Sequence, residues 1–221
     1  MTPIILAIDT RNIRDAWNLI EQIHPDPTRV RLKIGSTVFA GTGLTGVTTF
    51  MHEGYQVLLD LKWHDIPMQV AGAMENAAKI GVWGVTLHTS GGPEMVKAAA
   101  EVAGETRIFG VTVLTSSPKG IGDPGDLLVS TMTHGLTGAV CSGPDLPRLK
   151  RLARKDFEFL VPGVRQTRGK DDQHRVTTVT TALENGASYL VIGREVTGAQ
   201  MPRIALRRIE SEIARFKEQV S

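Results

Sequence analysis

Short apolar runs recur along the whole chain, and each is followed by a segment with the apolar spacing of a helix. Eight runs have the length of a strand and are almost uniformly apolar, which is typical of a parallel sheet covered by helices on its faces. The predicted strands are Ile4–Asp9, Val30–Gly35, Gln56–Lys62, Trp83–His88, Ile108–Leu114, Gly138–Ser142, Phe157–Gly163 and Tyr189–Arg194. The pattern therefore indicates an α/β protein.

Two helical segments show an apolar stripe at helical spacing. The stripes are Ile13, Trp17, Ile20 and Ile23 after the first strand, and Ile209, Ile213, Phe216 and Val220 after the last. Eight strands that alternate with helices in 221 residues predict a (β/α)8 TIM barrel, with an open doubly wound sheet as the alternative. No linker or shift in composition divides the chain, so we expect residues 1–221 to form a single barrel domain.

Composition narrows the class of protein. Apolar residues make up 41% of the chain, and the net charge of +2 is too small to predict binding to nucleic acid or membranes. The single cysteine, Cys141, excludes an intrachain disulfide and is typical of a reducing compartment. The opening residues do not resemble a signal peptide and no run is long enough to span a membrane, so we expect a cytoplasmic protein.

The stretch LLDLKWHDIP, Leu58 to Pro67, places acids and bases at the end of the third predicted strand. Alternate residues of a strand share a face, so Asp60 and Lys62 should point the same way. At the C-terminal end of a barrel strand that face can open into an active site. The alternative is a buried ion pair with a purely structural role.

Charged residues occupy the same end of other predicted strands. Asp9 and Lys33 belong to the ends of the first two, His88 ends the fourth, and Arg194 ends the eighth. Packing does not account for charged or polar side chains at the same end of so many strands. The set therefore indicates a site at the mouth of the barrel.

Two arginines near the last strands suggest a phosphate group. Gly193 and Arg194 follow the last strand, where barrels commonly bind phosphate, and Arg165 supplies a second guanidinium. Both arginines could instead be surface residues. The long polar segment Arg165–Arg175 is either a mobile lid over the site or a surface loop.

The sequence contains no metal-ligand spacing, P-loop or dinucleotide fingerprint. Asp9, Asp60 and Asp65 could in principle hold Mg²⁺. Lys33 and Lys62, placed among these acids, would already supply the positive charge. The residues therefore favour a site that uses neither a metal nor a cofactor.

Eight short motifs, spread over nearly the whole chain, have the order of a known family. They are LAID (Leu6–Asp9), LKIG (Leu32–Gly35), DLKWHDIP (Asp60–Pro67), LHTSGG (Leu87–Gly92), VTVLTS (Val111–Ser116), PGVR (Pro162–Arg165), DQHR (Asp172–Arg175) and VIGR (Val191–Arg194). On these motifs the chain resembles the orotidine 5′-monophosphate decarboxylase family. The D-x-K-x-x-D-I-P stretch is specific by itself, and PGVR and VIGR follow it in the right order.

The resemblance implies a (β/α)8 homodimer with its active sites at the subunit interface and with no cofactor. It implies that orotidine 5′-monophosphate is converted to UMP and CO2 in de novo pyrimidine biosynthesis. Lys33, Asp60 and Lys62 would form a charged catalytic network with Asp65 of the partner subunit. Lys62 would donate the proton to C6 of the pyrimidine.

The resemblance also implies which residues contact the substrate. Asp9 and Lys33 would contact the ribose, and Thr115 would contact the pyrimidine base. The 5′-phosphate would be bound by Arg165, Gln173, Gly193 and Arg194. Gln173 belongs to the polar segment that could form a lid.

The chain departs from the family directly after the DIP triplet. The family usually carries Asn-Thr or Glu-Thr there, whereas this chain carries Met68 and Gln69. Gln69 would face the nucleotide in the partner's site and can still donate and accept hydrogen bonds. Met68 replaces a polar residue with an apolar one. We expect an active enzyme with a modified contact across the interface.

Two other functions compete with this one. The metal-dependent 3-keto-sugar-phosphate decarboxylases and hexulose-phosphate synthases also carry D-x-K on the third strand, but they lack DIP, VTVLTS and the spacing from PGVR to DQ. A nucleotide-binding protein without catalysis is the second alternative. Only Met68 and Gln69 support it, and the intact pair of Asp60 and Lys62 argues against it.

Overall fold

The structure, a computed structural model, describes residues 3–112, 123–165 and 176–220. Within these ranges eight parallel strands pair in chain order, and the last pairs with the first to close a barrel. The strands are β1 Ile4–Ile8, β2 Arg31–Gly35, β3 Val57–Trp63, β4 Gly84–His88, β5 Arg107–Val111, β6 Gly138–Val140, β7 Glu158–Pro162 and β8 Tyr189–Ile192. The predicted TIM barrel is confirmed, and the closed sheet excludes the open doubly wound alternative.

Helices alternate with the strands around the outside of the barrel. They are α1 Ile13–Ile23, α2 Ser36–His52, α3 Pro67–Ile80, α4 Gly92–Glu101, α5 Pro124–Met132, α6 Leu146–Leu152, α7 Val179–Glu184, α8 Arg194–Thr197 and α9 Pro202–Val220. Several strands end one or two residues earlier than predicted, so Asp9 and Arg194 lie just beyond β1 and β8. In the part of the chain that the structure describes, no helix has the length and apolar character needed to cross a membrane.

The first predicted apolar stripe faces the barrel, as its spacing requires. The α1 helix starts where the side chain of Asn12 accepts a hydrogen bond from the backbone N–H of Asp15. Ile20 and Ile23 are buried, and the Trp17 ring stacks on a phenylalanine of α2 with 4.7 Å between centroids. The amphipathic spacing thus lets this helix pack on the barrel, since every turn places an apolar side chain on the face toward the strands.

An apolar layer seals the interior of the barrel below its mouth. The side chains of Ile5, Leu58, Phe109 and Leu160 are buried there and form one cluster. Gly84 makes room for the aromatic ring in this layer, because a Cβ at that position would lie 3.1 Å from a ring carbon of Phe109. The layer keeps the charged mouth separate from the opposite end of the barrel.

A polar layer lies at the N-terminal end of the barrel, on the other side of the apolar layer. The Arg107 guanidinium donates hydrogen bonds to Glu158 and, over 2.8 Å, to the hydroxyl oxygen of Tyr189. The Arg31 guanidinium lies 4.4 Å from the centroid of the Trp83 ring and 5.0 Å from that of Tyr189. The Arg31 guanidinium therefore stacks between two aromatic rings at this end of the barrel.

We expect the close packing of β6 against β7 to make Gly138 intolerant of a side chain. A Cβ at Gly138 would overlap the carbonyl oxygen of Glu158, which belongs to the backbone and cannot rotate away. Gly138→Ala should lower the free energy of unfolding by about 1–3 kcal/mol in urea titrations. Gly72→Ala is the matched control, because a Cβ on this exposed glycine of α3 would meet no atom within 4 Å.

The control should raise the free energy of unfolding by up to about 1 kcal/mol, since alanine favours a helix interior over glycine. Equal stability of the two variants would contradict this account of the packing.

Candidate active site

A cavity opens at the C-terminal ends of the strands, and every strand or the loop after it contributes to its lining. Its floor is apolar and includes Leu58, Leu160 and Val191. Its charged and polar lining residues are Asp9, Lys33, Asp60, Lys62, Thr86, Arg165, Arg194 and Glu195. Seven of the residues predicted from the sequence therefore border one cavity: Asp9, Lys33, Asp60, Lys62, Arg165, Gly193 and Arg194.

Acidic and basic side chains alternate along one row in this cavity. The ammonium group of Lys33 lies 2.9 Å from Asp9 Oδ1 and 3.3 Å from Asp60 Oδ2. The ammonium group of Lys62 lies 2.9 Å from the same oxygen of Asp60. We call Asp9, Lys33, Asp60 and Lys62 the charged row. In it, each inner group has an opposite charge on both sides.

Strand register brings the row together. Gly35 of β2 lies opposite Asp60 of β3, so Lys33 and Asp60 approach one another diagonally across neighbouring strands. The glycine leaves space for this, because a Cβ there would lie 3.3 Å from Asp9 Oδ1 and 3.6 Å from Lys33 Nζ. Asp60 and Lys62 share a face of β3, as the alternation of strand residues predicted.

Burial and charge act in opposite directions on the two inner groups. Only 12% of each of the Lys33 and Asp60 side chains is exposed. Burial lowers the pKa of Lys33, but Asp60 and Asp9 outweigh it and leave that pKa raised. Burial raises the pKa of Asp60, but Lys33 and Lys62 outweigh it and leave that pKa lowered. Both groups are therefore charged at neutral pH.

The backbone of β3 is irregular at its C-terminal end. Lys62 has a φ of 52°, which is unusual for a residue other than glycine, and the pairing with β4 shifts between Leu59 and Trp63. The side chain of Thr86, on β4, makes hydrogen bonds to β3 at this irregular position. Its Oγ1 accepts a hydrogen bond from the Lys62 N–H over 3.0 Å and donates one to Asp60 Oδ1 over 2.8 Å.

Thr86 was not among the residues predicted from the sequence. A signal was nevertheless present, because it is the one polar residue inside the apolar run from Gly84 to Leu87. Its hydroxyl lies on the inner face of β4, while Val85 and Leu87 pack into the outer core between strands and helices. A polar side chain at an inward strand position near the mouth is a candidate site residue.

Cationic groups border the cavity at the ends of β7 and β8. Arg165 follows β7, and Gly193 and Arg194 form the turn from β8 into α8. The Arg165 N–H donates to the carbonyl oxygen of Thr177 over 2.9 Å, which ties the start of its loop to the segment before α7. The predicted combination of two arginines and a glycine turn is thus present in one place, suited in charge to a phosphate group.

Four predicted residues are not part of this cluster. Asp65 and Gln69 are exposed in the segment after β3, and the Asp65 carboxylate accepts a hydrogen bond from the Ile66 N–H over 2.7 Å. Asp65 makes no ion pair within the described ranges. Thr115 and Gln173 lie outside the described residues, as does all but the first residue of the segment predicted as a lid.

The described residues contain no group of three or more His, Cys, Asp or Glu side chains that could hold a metal ion. The acids of the charged row face ammonium groups instead, since Asp60 contacts both Lys33 and Lys62. That a cofactor is not needed stays a prediction from the sequence.

Two histidines lie beside the row, with 5.6 Å between the ring centroids of His64 and His88. Burial lowers the pKa of His88, and His64 and Lys62 lower it further. His88 is therefore neutral at physiological pH.

The closed barrel and the charged mouth together define a barrel enzyme whose site is suited to an anionic substrate. The chain belongs to the orotidine 5′-phosphate decarboxylase / HUMPS family, whose family model matches residues 2–209. The resemblance drawn from the sequence motifs is thereby confirmed.

Similar proteins cover nearly the whole chain. It is 40% identical to the orotidine 5′-phosphate decarboxylase of Nitrosococcus oceani over 96% of the chain and 97% of that protein. It is 38% identical to that of Nitrosospira multiformis, over 97% and 95%. The crystal structure of orotidine 5′-phosphate decarboxylase from Lactobacillus acidophilus superposes with a TM-score of 0.84 at 28% identity, covering 96% and 98%. The chain is therefore an enzyme of the carboxy-lyase class.

We expect Asp60 to stabilise the fold in a pH-dependent way. Its pKa is lower in the folded protein, so its contribution is complete above its unfolded pKa of about 3.9 and disappears as the pH falls through the lowered value. The difference in free energy of unfolding between the wild type and Asp60→Asn should thus decrease from pH about 6 to pH about 3. Urea titrations at several pH values measure it, and a constant difference would contradict it.

Proposed function

We propose that the protein is an orotidine 5′-monophosphate decarboxylase, which converts its substrate to UMP and CO2 without a metal or cofactor. Family membership and the named relatives support the activity. The observation that carries the mechanism is the 2.9 Å contact between Lys62 Nζ and Asp60 Oδ2 at the mouth of the barrel. It fixes an ammonium group beside a carboxylate in a partly enclosed site.

The reaction requires stabilisation of a carbanion. Loss of CO2 from C6 of the pyrimidine leaves an electron pair on a ring carbon with no adjacent carbonyl group to delocalise it. A fixed positive charge next to C6 lowers the energy of that anion, and a proton from the same group then completes the product. Stabilisation of this kind accelerates the reaction because it is stronger in the transition state than in the substrate complex.

Lys62 would supply both the charge and the proton. Its side chain is 35% exposed and reaches into the cavity, where Asp60 holds its ammonium group from one side. Asp60 would also lie near the carboxylate of the substrate and repel it. That repulsion diminishes as CO2 leaves, so it would favour the transition state over the bound substrate.

Lys33 and Asp9 would contact the ribose. Lys33 lies between two carboxylates, Asp9 and Asp60, so its ammonium group is held in place before the substrate arrives. Preorganisation of this kind avoids an ordering cost when the substrate binds. Asp9 remains 64% exposed and accessible to a ribose hydroxyl.

The phosphate would bind at the cationic side of the cavity, to Arg165, Gly193 and Arg194. Gln173 would add a contact to the phosphate and Thr115 one to the pyrimidine base. Binding energy from a phosphate group far from C6 can be used to orient the reacting part of the substrate. Two arginines suit a dianion because each guanidinium can donate two parallel hydrogen bonds.

A homodimer would complete the site. Ile66 and Met68 are large apolar side chains that are 58% and 72% exposed, directly beside Asp65 and Gln69. Apolar exposure of this size beside site residues favours a surface covered by a second copy of the chain. Asp65 of the partner subunit would then join the charged row, and Gln69 would approach the nucleotide across the interface.

We propose a cytoplasmic enzyme of pyrimidine biosynthesis. The buried thiol of Cys141, whose pKa is raised by burial, is free and packs in the core. A single unpaired cysteine is typical of a reducing compartment.

We expect Lys62→Ala to lower kcat at least about 10³-fold, because it removes both the positive charge and the proton donor. Loss of absorbance of orotidine 5′-monophosphate in the presence of EDTA measures the rate. Lys79→Ala is the matched control, since Lys79 is exposed on α3 and pairs with Glu75 over 3.0 Å. The control should keep the wild-type rate.

Each alternative function predicts a different result in this assay. A Lys62→Ala variant with the wild-type rate would refute the proposed role of Lys62. Wild-type protein that binds UMP but releases no CO2 would indicate a nucleotide-binding protein. Activity that EDTA abolishes and Mg²⁺ restores would favour a metal-dependent relative.

We expect Lys62→Ala and Asp65→Ala to complement each other in a mixed dimer. If each site combines its own Lys62 with Asp65 of the partner subunit, one of the two sites of the heterodimer is intact. Co-expression with two different tags allows the heterodimer to be purified. It should show about half of the wild-type activity per dimer, whereas both variant homodimers should be nearly inactive. A heterodimer as inactive as its parents would show that Lys62 and Asp65 act within one subunit.

A further inference from the structure

We propose that Thr86 is a positioning residue, whose hydroxyl holds the backbone of Lys62 and the carboxylate of Asp60 in one arrangement. The inference rests on the proposed function, because it concerns the two side chains assigned to the chemistry. Thr86 would act through Lys62 and Asp60, not through the reacting atoms.

The first argument is that one hydroxyl contacts both residues. Thr86 Oγ1 accepts from the Lys62 N–H over 3.0 Å and donates its only proton to Asp60 Oδ1 over 2.8 Å. Both contacts together define the direction of the hydroxyl proton. The residue is 1% exposed, so bulk water does not compete for either contact. Loss of the hydroxyl would leave a buried acceptor and a backbone donor unpaired, which is costly.

The second argument is the backbone of Lys62. Its φ of 52° lies in the left-handed region, where the backbone of a residue with a side chain is strained. The pairing between β3 and β4 is interrupted between Leu59 and Trp63. Thr86 therefore provides, from its side chain, the hydrogen-bond acceptor for Lys62 at this break. Without it, the strained conformation loses a contact that holds it.

The third argument is how the two oxygens of Asp60 are used. Thr86 binds Oδ1, so the ammonium groups of Lys33 and Lys62 share Oδ2, at 3.3 Å and 2.9 Å. If Oδ1 were released, the carboxylate could rotate and offer a separate oxygen to each lysine. The ammonium group of Lys62 would then shift relative to C6 of the substrate, and small displacements of a catalytic group reduce rates strongly.

Thr86→Val removes the hydroxyl and keeps the shape of the side chain. We expect kcat and kcat/KM to fall together by about 10- to 100-fold while KM changes less than about threefold, because ground-state contacts to the nucleotide remain. Thr86→Ser retains the hydroxyl and should stay within about threefold of the wild-type kcat. A serine variant as slow as the valine variant would overturn the proposal.

Thr106→Val is the matched control for the loss of a buried hydroxyl. Thr106 is 7% exposed and donates to the carbonyl oxygen of Val82 over 3.1 Å, before β5 and far from the mouth. It should destabilise the protein in urea while kcat stays within about twofold of the wild type. If it lowered kcat as much as Thr86→Val, the effect would be one of general stability, and the proposal would fail.

Crystal structures of the wild type and of Thr86→Val test the inference without an activity measurement. We expect the variant to lose the left-handed φ at Lys62 or the shared contact on Asp60 Oδ2. If Thr86→Val kept the wild-type geometry, or kept a kcat within about threefold of an active wild type, the role of Thr86 would be overturned. Inactive wild-type protein would instead overturn the proposed function, so the two failures are distinguishable.

Discussion

Asp60 shares one carboxylate oxygen between two ammonium groups, and the geometry of the mouth depends on that shared contact. Lys33 and Lys62 approach the same Oδ2, while Thr86 binds the other oxygen. Buried charges are stable only when opposite charges and hydrogen bonds compensate for lost hydration. Here the compensation is provided by side chains from three neighbouring strands. The row therefore stays charged although a buried apolar layer lies directly below it.

An apolar layer inside the barrel separates the charged row from the polar groups at the other end of the barrel. A buried apolar layer that includes Leu58 and Phe109 lies between the mouth and the arginine-rich layer at the N-terminal end. Gly35 and Gly84 keep the interior from being overfilled, since side chains at these positions would crowd Asp9 and Phe109. The charged row is thus carried by the ends of strands that are hydrogen-bonded to their neighbours. Rigid placement matters because a catalytic group must be held close to its productive position.

The proposed decarboxylation depends on a positive charge that is held in a fixed position. An enzyme without a cofactor must stabilise a carbanion with groups of its own chain, and an ammonium group held by Asp60 is suited to that task. The strained backbone at Lys62 fits the same interpretation, since strain of this kind often occurs at functional sites. Met68 and Gln69 differ from the usual family residues, but they lie outside the charged row. Their effect would be on the contact between subunits and not on the row itself.

The sequence by itself determined the class of fold and identified the four residues of the charged row. Apolar runs alternating with helical stripes predicted the barrel, and strand parity predicted that Asp60 and Lys62 share a face, because these signals depend only on local periodicity. Only the tertiary structure revealed the role of Thr86 and the left-handed backbone of Lys62. Both depend on the register between β3 and β4, and no local pattern encodes where two strands interrupt their pairing. Which oxygen of Asp60 each neighbour binds was likewise decided by the packing of three strands, since contacts between distant residues exist only once the barrel has closed.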